Sequence, residues 1–145
     1  MMVFSSKRWF PIFLVAFVLT MVAIWMNAPG VMAGYPATAF DLLVTVCFFL
    51  VWFLFGIPSG IKGEGAFLVF IGVYWGLGLV AGLFALFAPY EELLLFGIWY
   101  SVPAHGLGML LWNVTLLKLV APFVGLGVSL MGYGAGRMLR QKELA

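Results

Sequence analysis

Charge is what this chain has least of. Only 8% of its 145 residues are Asp, Glu, Lys or Arg, against about a quarter in an ordinary soluble domain. So thin a complement excludes a normally solvated surface, and seven cations against five anions are too few for a nucleic-acid footprint. Cysteine is reduced to Cys47, so no disulfide can close within the chain. Lying in an apolar run, Cys47 is expected to be a small buried hydrophobe. Histidine is also single, at His105, whereas a metal centre needs several His, Cys or carboxylate ligands together. Nucleophilic catalysis needs a base beside the nucleophile, and Ser101 four residues before His105 is a weak hint of one. Neither a phosphate-binding glycine loop nor a dinucleotide fingerprint occurs. These absences argue against an enzyme, a cofactor and a metal.

Apolar side chains fill the space that charge leaves. Hydrophobic residues make up 66% of the chain, and mean hydropathy is +1.19, far above the roughly 45–50% apolar content of a soluble domain. The expected class is therefore an all-α integral membrane protein, one transmembrane domain over 1–145, residing in the cell membrane with the lipid bilayer as its first partner. The length suits about four spans of ~20 residues with short connections. It leaves no room within these residues for a soluble catalytic domain as well.

Lys7 and Arg8 precede an unbroken apolar run over 9–26, about 18 residues and just enough to cross the hydrocarbon core. Pro11 in its first turn costs little, because its missing N–H would have had no partner. The same stretch also fits a secretory signal with a cleavage site at Val31-Met32-Ala33, but its apolar run exceeds the usual 7–15 residues. An uncleaved first span is the better reading. Asn27 to Pro36 carries two prolines and two glycines in ten residues, and is expected to be a loop on the non-cytoplasmic side.

The second span is expected over 38–57, with Asp41 in its first turn, where the helix dipole favours a carboxylate. Asp41 is also an ion-ligand or proton-ligand candidate, because an ionisable group within a span is a functional candidate by default. Gly56 to Gly65 then reads as a flexible turn. The third span, 66–88, holds Gly72 with Gly76 and Gly78 with Gly82. Small residues four apart let helices approach closely, and the two pairs fall on different faces, so this helix should meet two neighbours. The last span, 119–136, repeats the spacing at Gly125 with Ser129 and at Gly132 with Gly136, which makes it the natural partner of the third.

Between these lies a broken stretch, 89–118. Pro89 with Glu91 and Glu92 suits a helix start, but Pro103 disfavours helix at Val102. That leaves about 13 residues, or ~20 Å at 1.5 Å per residue, too short for ~30 Å of hydrocarbon. A second short helix is expected over Met109 to Leu117. Three arrangements compete: a re-entrant helical hairpin with Pro103–Gly106 at depth, five spans with a loop at Lys118–Ala121, or interfacial helices on the outer surface. The favoured one is a four-helix bundle with a re-entrant or interfacial hairpin before its last span. Both termini would then be cytoplasmic, and only Lys118 among the seven basic residues would lie outside, as the positive-inside tendency requires. The three cations of the tail, Arg137, Arg140 and Lys142, would anchor it at the surface and could hold anionic head groups.

The candidate polar site gathers Asp41, Glu91, Glu92, His105, Asn113 and Lys118 on the outer side. Imidazole exchanges protons near neutral pH, so His105 could act as a relay, or it could simply bond backbone carbonyls of its turn. The expected role is that of a non-enzymatic subunit or accessory partner of a membrane assembly. The alternative is a small homo-oligomeric transporter or channel for an ion or small solute, because one copy has too few polar groups to line a pathway.

Overall fold

A computed structural model describes residues 6–87, 97–111 and 114–143. The described residues form helices and turns and no strand. Helix α1 runs Ser6–Met32, α2 Ala39–Lys62, α3 Gly65–Phe87 and α4 Val114–Glu143. Between α3 and α4 lie a helical turn at 97–101 and a 3-10 helix at His105–Met109. All four long helices are long and apolar enough to cross a membrane.

Three element boundaries differ from the sequence expectation, each in the same sense. Helix α1 continues past Pro29 to Met32 instead of ending at Asn27. Helix α2 continues past Pro58 to Lys62, so Gly56 to Gly60 are helix and not flexible turn. Helix α4 begins at Val114 and carries Pro122 inside it, which leaves neither a second short helix through Leu117 nor the loop at Lys118–Ala121 that five spans would need. The common physical cause is that a break exposes peptide groups, whereas a proline within a helix forfeits one bond. What ends α1 and α2 is glycine. Gly34 and Gly63 both adopt φ 67°, the left-handed region open to glycine. At each, the next two N–H groups return to the last turn: Gly34 to Val31 and Tyr35 to Gly30, Gly63 to Gly60 and Glu64 to Ser59. This is the Schellman closure. At the other end of α2, Thr38 and Asp41 form a reciprocal capping box, a role beyond the dipole contact expected of a first-turn carboxylate.

Helices α2 and α4 run parallel, and glycine sets their separation. A Cβ at Gly56 or Gly60 would strike the α4 backbone at Ser129–Tyr133, and one at Gly132 or Gly136 would strike the carbonyls of Phe53 and Ile57. The small-xxx-small pattern is thus present on both helices, and backbone meets backbone. Gly132 and Gly136 therefore serve α2, while Gly125 and Ser129 serve α3, where Trp75 covers Gly125 and donates to Ser129 Oγ at 3.2 Å. Helix α3 is antiparallel to both. Its Gly82 receives the Lys118 carbonyl of α4, the carbonyl that Pro122, four residues on, leaves without an N–H partner. Gly78 receives the ring of Tyr100. Gly72 and Gly76 depart from expectation, because nothing among the described residues lies within 4 Å of a Cβ at either.

The interior is aromatic, with Trp52, Trp75, Phe48, Phe67 and Tyr100 in one cluster. Polar side chains join them: Thr20, Asn27, Thr45 and Ser129 are fully buried, while Phe10, Phe13, Leu43, Val73 and Phe123 face outward. Cys47 also faces outward, contrary to the buried position expected. Along α2 nearly every face is apolar, and Cys47 falls on the side away from α4.

Candidate functional site

The site forms where the broken stretch meets the end of α1 and the start of α2. Residues 97–102 reach into the bundle: Trp99 Nε1 donates to Tyr74 Oη at 3.0 Å, and its ring lies 5.6 Å from Phe17. The chain turns at Ser101–Ala104, with Val102 and Ala104 buried, then returns toward the Asp41 end of α2 as the 3-10 helix. The end of α3 and the start of α4, between which this stretch lies in sequence, are at the same end of the bundle.

Such a turn leaves carbonyls without helical partners, and each unpaired one away from water is costly. Two side chains meet this demand. Asn27 Nδ2 of α1 donates to the Val102 carbonyl at 2.9 Å and to the Pro103 carbonyl at 3.3 Å. Thr45 Oγ1 of α2 donates to the same Pro103 carbonyl at 3.0 Å and accepts from the Gly106 N–H at 3.0 Å. Gly106 fits because a Cβ would overlap the backbone of Asp41 and Leu42. The break is thus bonded to α1 and α2 and is no longer a free loop.

Thr45 works by a device found twice more. A hydroxyl has one proton and can accept as well, so it passes a bond from an N–H or O–H donor to a carbonyl. Trp75 Nε1 donates to Ser129 Oγ, which donates to the Gly125 carbonyl at 2.7 Å. Thr20 Oγ1 gives its proton to the Ala16 carbonyl at 2.8 Å, so in its 2.6 Å contact with Tyr74 Oη the tyrosine must be the donor. Trp99 donates to Tyr74, and one chain of bonds therefore runs from the broken segment through α3 to α1.

Of the sequence candidates, the structure brings Asp41 and His105 together. Asp41 is 6% exposed, and its Oδ2 accepts from Thr38 N–H at 2.7 Å and Thr38 Oγ1 at 2.6 Å. Its Oδ1 and His105 Nε2 each lie 3.8 Å from the point a Cβ would occupy on Gly30. The Nε2 atom is buried and has no hydrogen-bond partner among the described residues, so the ring does not bond the carbonyls of its turn through that atom. His105 also borders an open cavity of about 700 Å³ with Tyr35, Pro36 and Met109. Lys118 stands apart, half-buried on α4, with its backbone against Gly82. Glu91, Glu92 and Asn113 lie outside the described residues. Among the described residues no three His, Cys, Asp or Glu side chains are grouped as metal ligands would be.

Sequence reasoning passed over Asn27, Thr45, Thr20 and Tyr74. The available signal was their isolation: single polar groups within apolar runs must find partners inside the protein. No family model matches the chain, and neither a curated protein nor a solved structure is significantly similar to it.

Proposed function

We propose that this is an integral membrane protein of four spans, with the stretch before the last span re-entrant, acting as a non-enzymatic subunit or accessory partner of a membrane assembly. Membrane residence is supported by the inverted distribution of side chains. Hydroxyls and amides are buried while large aliphatic and aromatic groups face out, the arrangement stable where the surrounding solvent is hydrocarbon. Lys7, Arg8, Lys62, Arg137, Arg140 and Lys142 all belong to the end of the bundle that holds the α1 start and the α4 end. The positive-inside tendency makes that end cytoplasmic.

The observation that carries the partner reading is the open notch on α3. Gly72 and Gly76 have nothing within 4 Å of a Cβ, and Val69, Val73, Leu77 and Val80 beside them are exposed. Glycine within a helix costs about 1 kcal/mol relative to alanine, and close helix contact is what offsets that cost in lipid. Among the described residues no helix supplies the contact, so a helix of another subunit or a second copy is the proposed occupant. Gly76→Leu is expected to leave the purified protein folded and to abolish co-purification of its membrane partner or its homo-oligomer. Retention of both would sink the reading.

A small transporter is the second reading, favoured by the buried, unpartnered Nε2 of His105 beside Asp41 and the adjoining cavity. It requires proton, ion or solute flux in liposomes that His105→Ala or Asp41→Asn reduces. Flux unchanged by both, or none at all, excludes it.

A further inference from the structure

The C-terminal ends of α2 and α4 bring together a group of cations that the helix caps do not use. Lys62, Arg137, Arg140 and Lys142 are all exposed there. Arg137 and Arg140 converge. A Cβ on Gly63 would lie 3.2 Å from Arg137 Nη1 and 2.8 Å from Arg140 Nη1, so two guanidinium groups approach one point over the left-handed glycine.

The ordinary explanation for basic side chains at a helix end is that they bond its last carbonyls and complement its dipole. Here the α2 carbonyls of Ser59 and Gly60 already accept from the Glu64 and Gly63 N–H groups, at 2.9 and 3.0 Å. Among the described residues neither guanidinium makes a hydrogen bond or an ion pair. Two like charges held toward one seat repel unless an anion lies between them. Each guanidinium offers several N–H donors in a planar fork matched to phosphate oxygens, and Gly63 leaves the seat without a side chain.

We propose that Arg137 and Arg140, over Gly63 and with Lys62 alongside, form a binding site for a phosphate group. The seat lies at the end of the spanning helices, at the depth of lipid phosphates; this placement rests on the four-span membrane reading. The source is either the head group of an anionic phospholipid or free inorganic phosphate.

The test uses the full chain in nanodiscs that contain phosphatidylcholine and phosphatidylglycerol, with the lipid retained on extraction into detergent counted for each species. The wild type is expected to retain phosphatidylglycerol over phosphatidylcholine by roughly tenfold, and Arg137→Gln with Arg140→Gln to bring the ratio close to one. Lys142→Gln removes one charge without touching the seat and is expected to change the ratio less than twofold. Arg137→Lys with Arg140→Lys keeps charge but loses both forks, and is expected to lose most of the preference. Inorganic phosphate is added in a parallel arm with phosphatidylcholine alone. Stabilisation there that the double Gln variant loses assigns the seat to free phosphate; its absence beside a lipid preference assigns it to the head group. The proposal is overturned if the wild type shows neither effect, if Lys142→Gln matches the double Gln loss, or if the double Lys variant keeps the full preference. Failure of the chain to fractionate with membranes would instead sink the membrane reading.

Discussion

The Nδ2 of Asn27 donates to the carbonyl of Val102 at 2.9 Å across 75 residues of sequence, and by this bond the end of the first helix holds the break before the last. Asn27→Leu keeps approximate volume and removes both amide bonds, leaving the Val102 carbonyl with the His105 N–H and the Pro103 carbonyl with Thr45 Oγ1 as their remaining donors. The expected loss is about 1–3 kcal/mol, read as a lower midpoint of thermal unfolding in detergent. An unchanged midpoint would mean that water replaces the amide.

Thr45→Val removes a donor to Pro103 and an acceptor for Gly106 without changing shape. About 1–2 kcal/mol of destabilisation is expected, with Thr45→Ser close to wild type. Because Asn27 and Thr45 share the Pro103 carbonyl, each single variant leaves it one donor and only the double variant leaves it none, so the double variant should lose more than the summed single losses. Strict additivity would show that the two bonds act independently.

Gly132→Ala and Gly72→Ala place the same methyl group in opposite settings. At Gly132 it meets the Phe53 carbonyl, so α2 and α4 must separate and the monomer should lose about 1–3 kcal/mol. At Gly72 it meets no described residue, and the purified protein should be unchanged or slightly more stable through helix propensity. Comparable losses at both sites would contradict the placement of the helices.

Tyr74→Phe deletes the hydroxyl between Trp99 and Thr20. The indole N–H of Trp99 is then left without an acceptor, with an expected cost of about 1–2 kcal/mol. Its signature should be local: hydrogen exchange at 97–102 should rise more than in α4. Uniform exchange would place the loss elsewhere.

The four long helices and the break at Pro103 were legible because an apolar run bounded by cations, and a proline three residues before a glycine, are local signals. Gly78 with Gly82 and Gly125 with Ser129 were legible by spacing. Asn27 and Thr45 were not, since their partners are backbone carbonyls 58 to 76 residues away, and no periodicity encodes such a pairing. Gly56 and Gly60 were mistaken for a turn because Pro58 between them has low helix propensity. That scale is measured in water, where a broken helix can bond solvent; against another helix in an apolar surrounding the intact helix is favoured. Cys47 was misplaced because α2 is apolar on most faces and hydropathy cannot tell them apart. His105 was found as the only histidine, but its neighbour across Gly30 emerged only from the fold.

The groups that receive the Val102–Pro103 turn belong to α1 and α2, so they precede it in the order of synthesis. A nascent chain made from its N-terminus at about 5–20 residues per second has Asn27 and Thr45 in place several seconds before Pro103 leaves the ribosome. The turn therefore emerges after both of the side chains that receive it. Exchanging the chain order, by a circular permutation that places 97–111 before α1, would synthesise the break before either of its partners, and the yield of folded protein rather than its final stability should suffer.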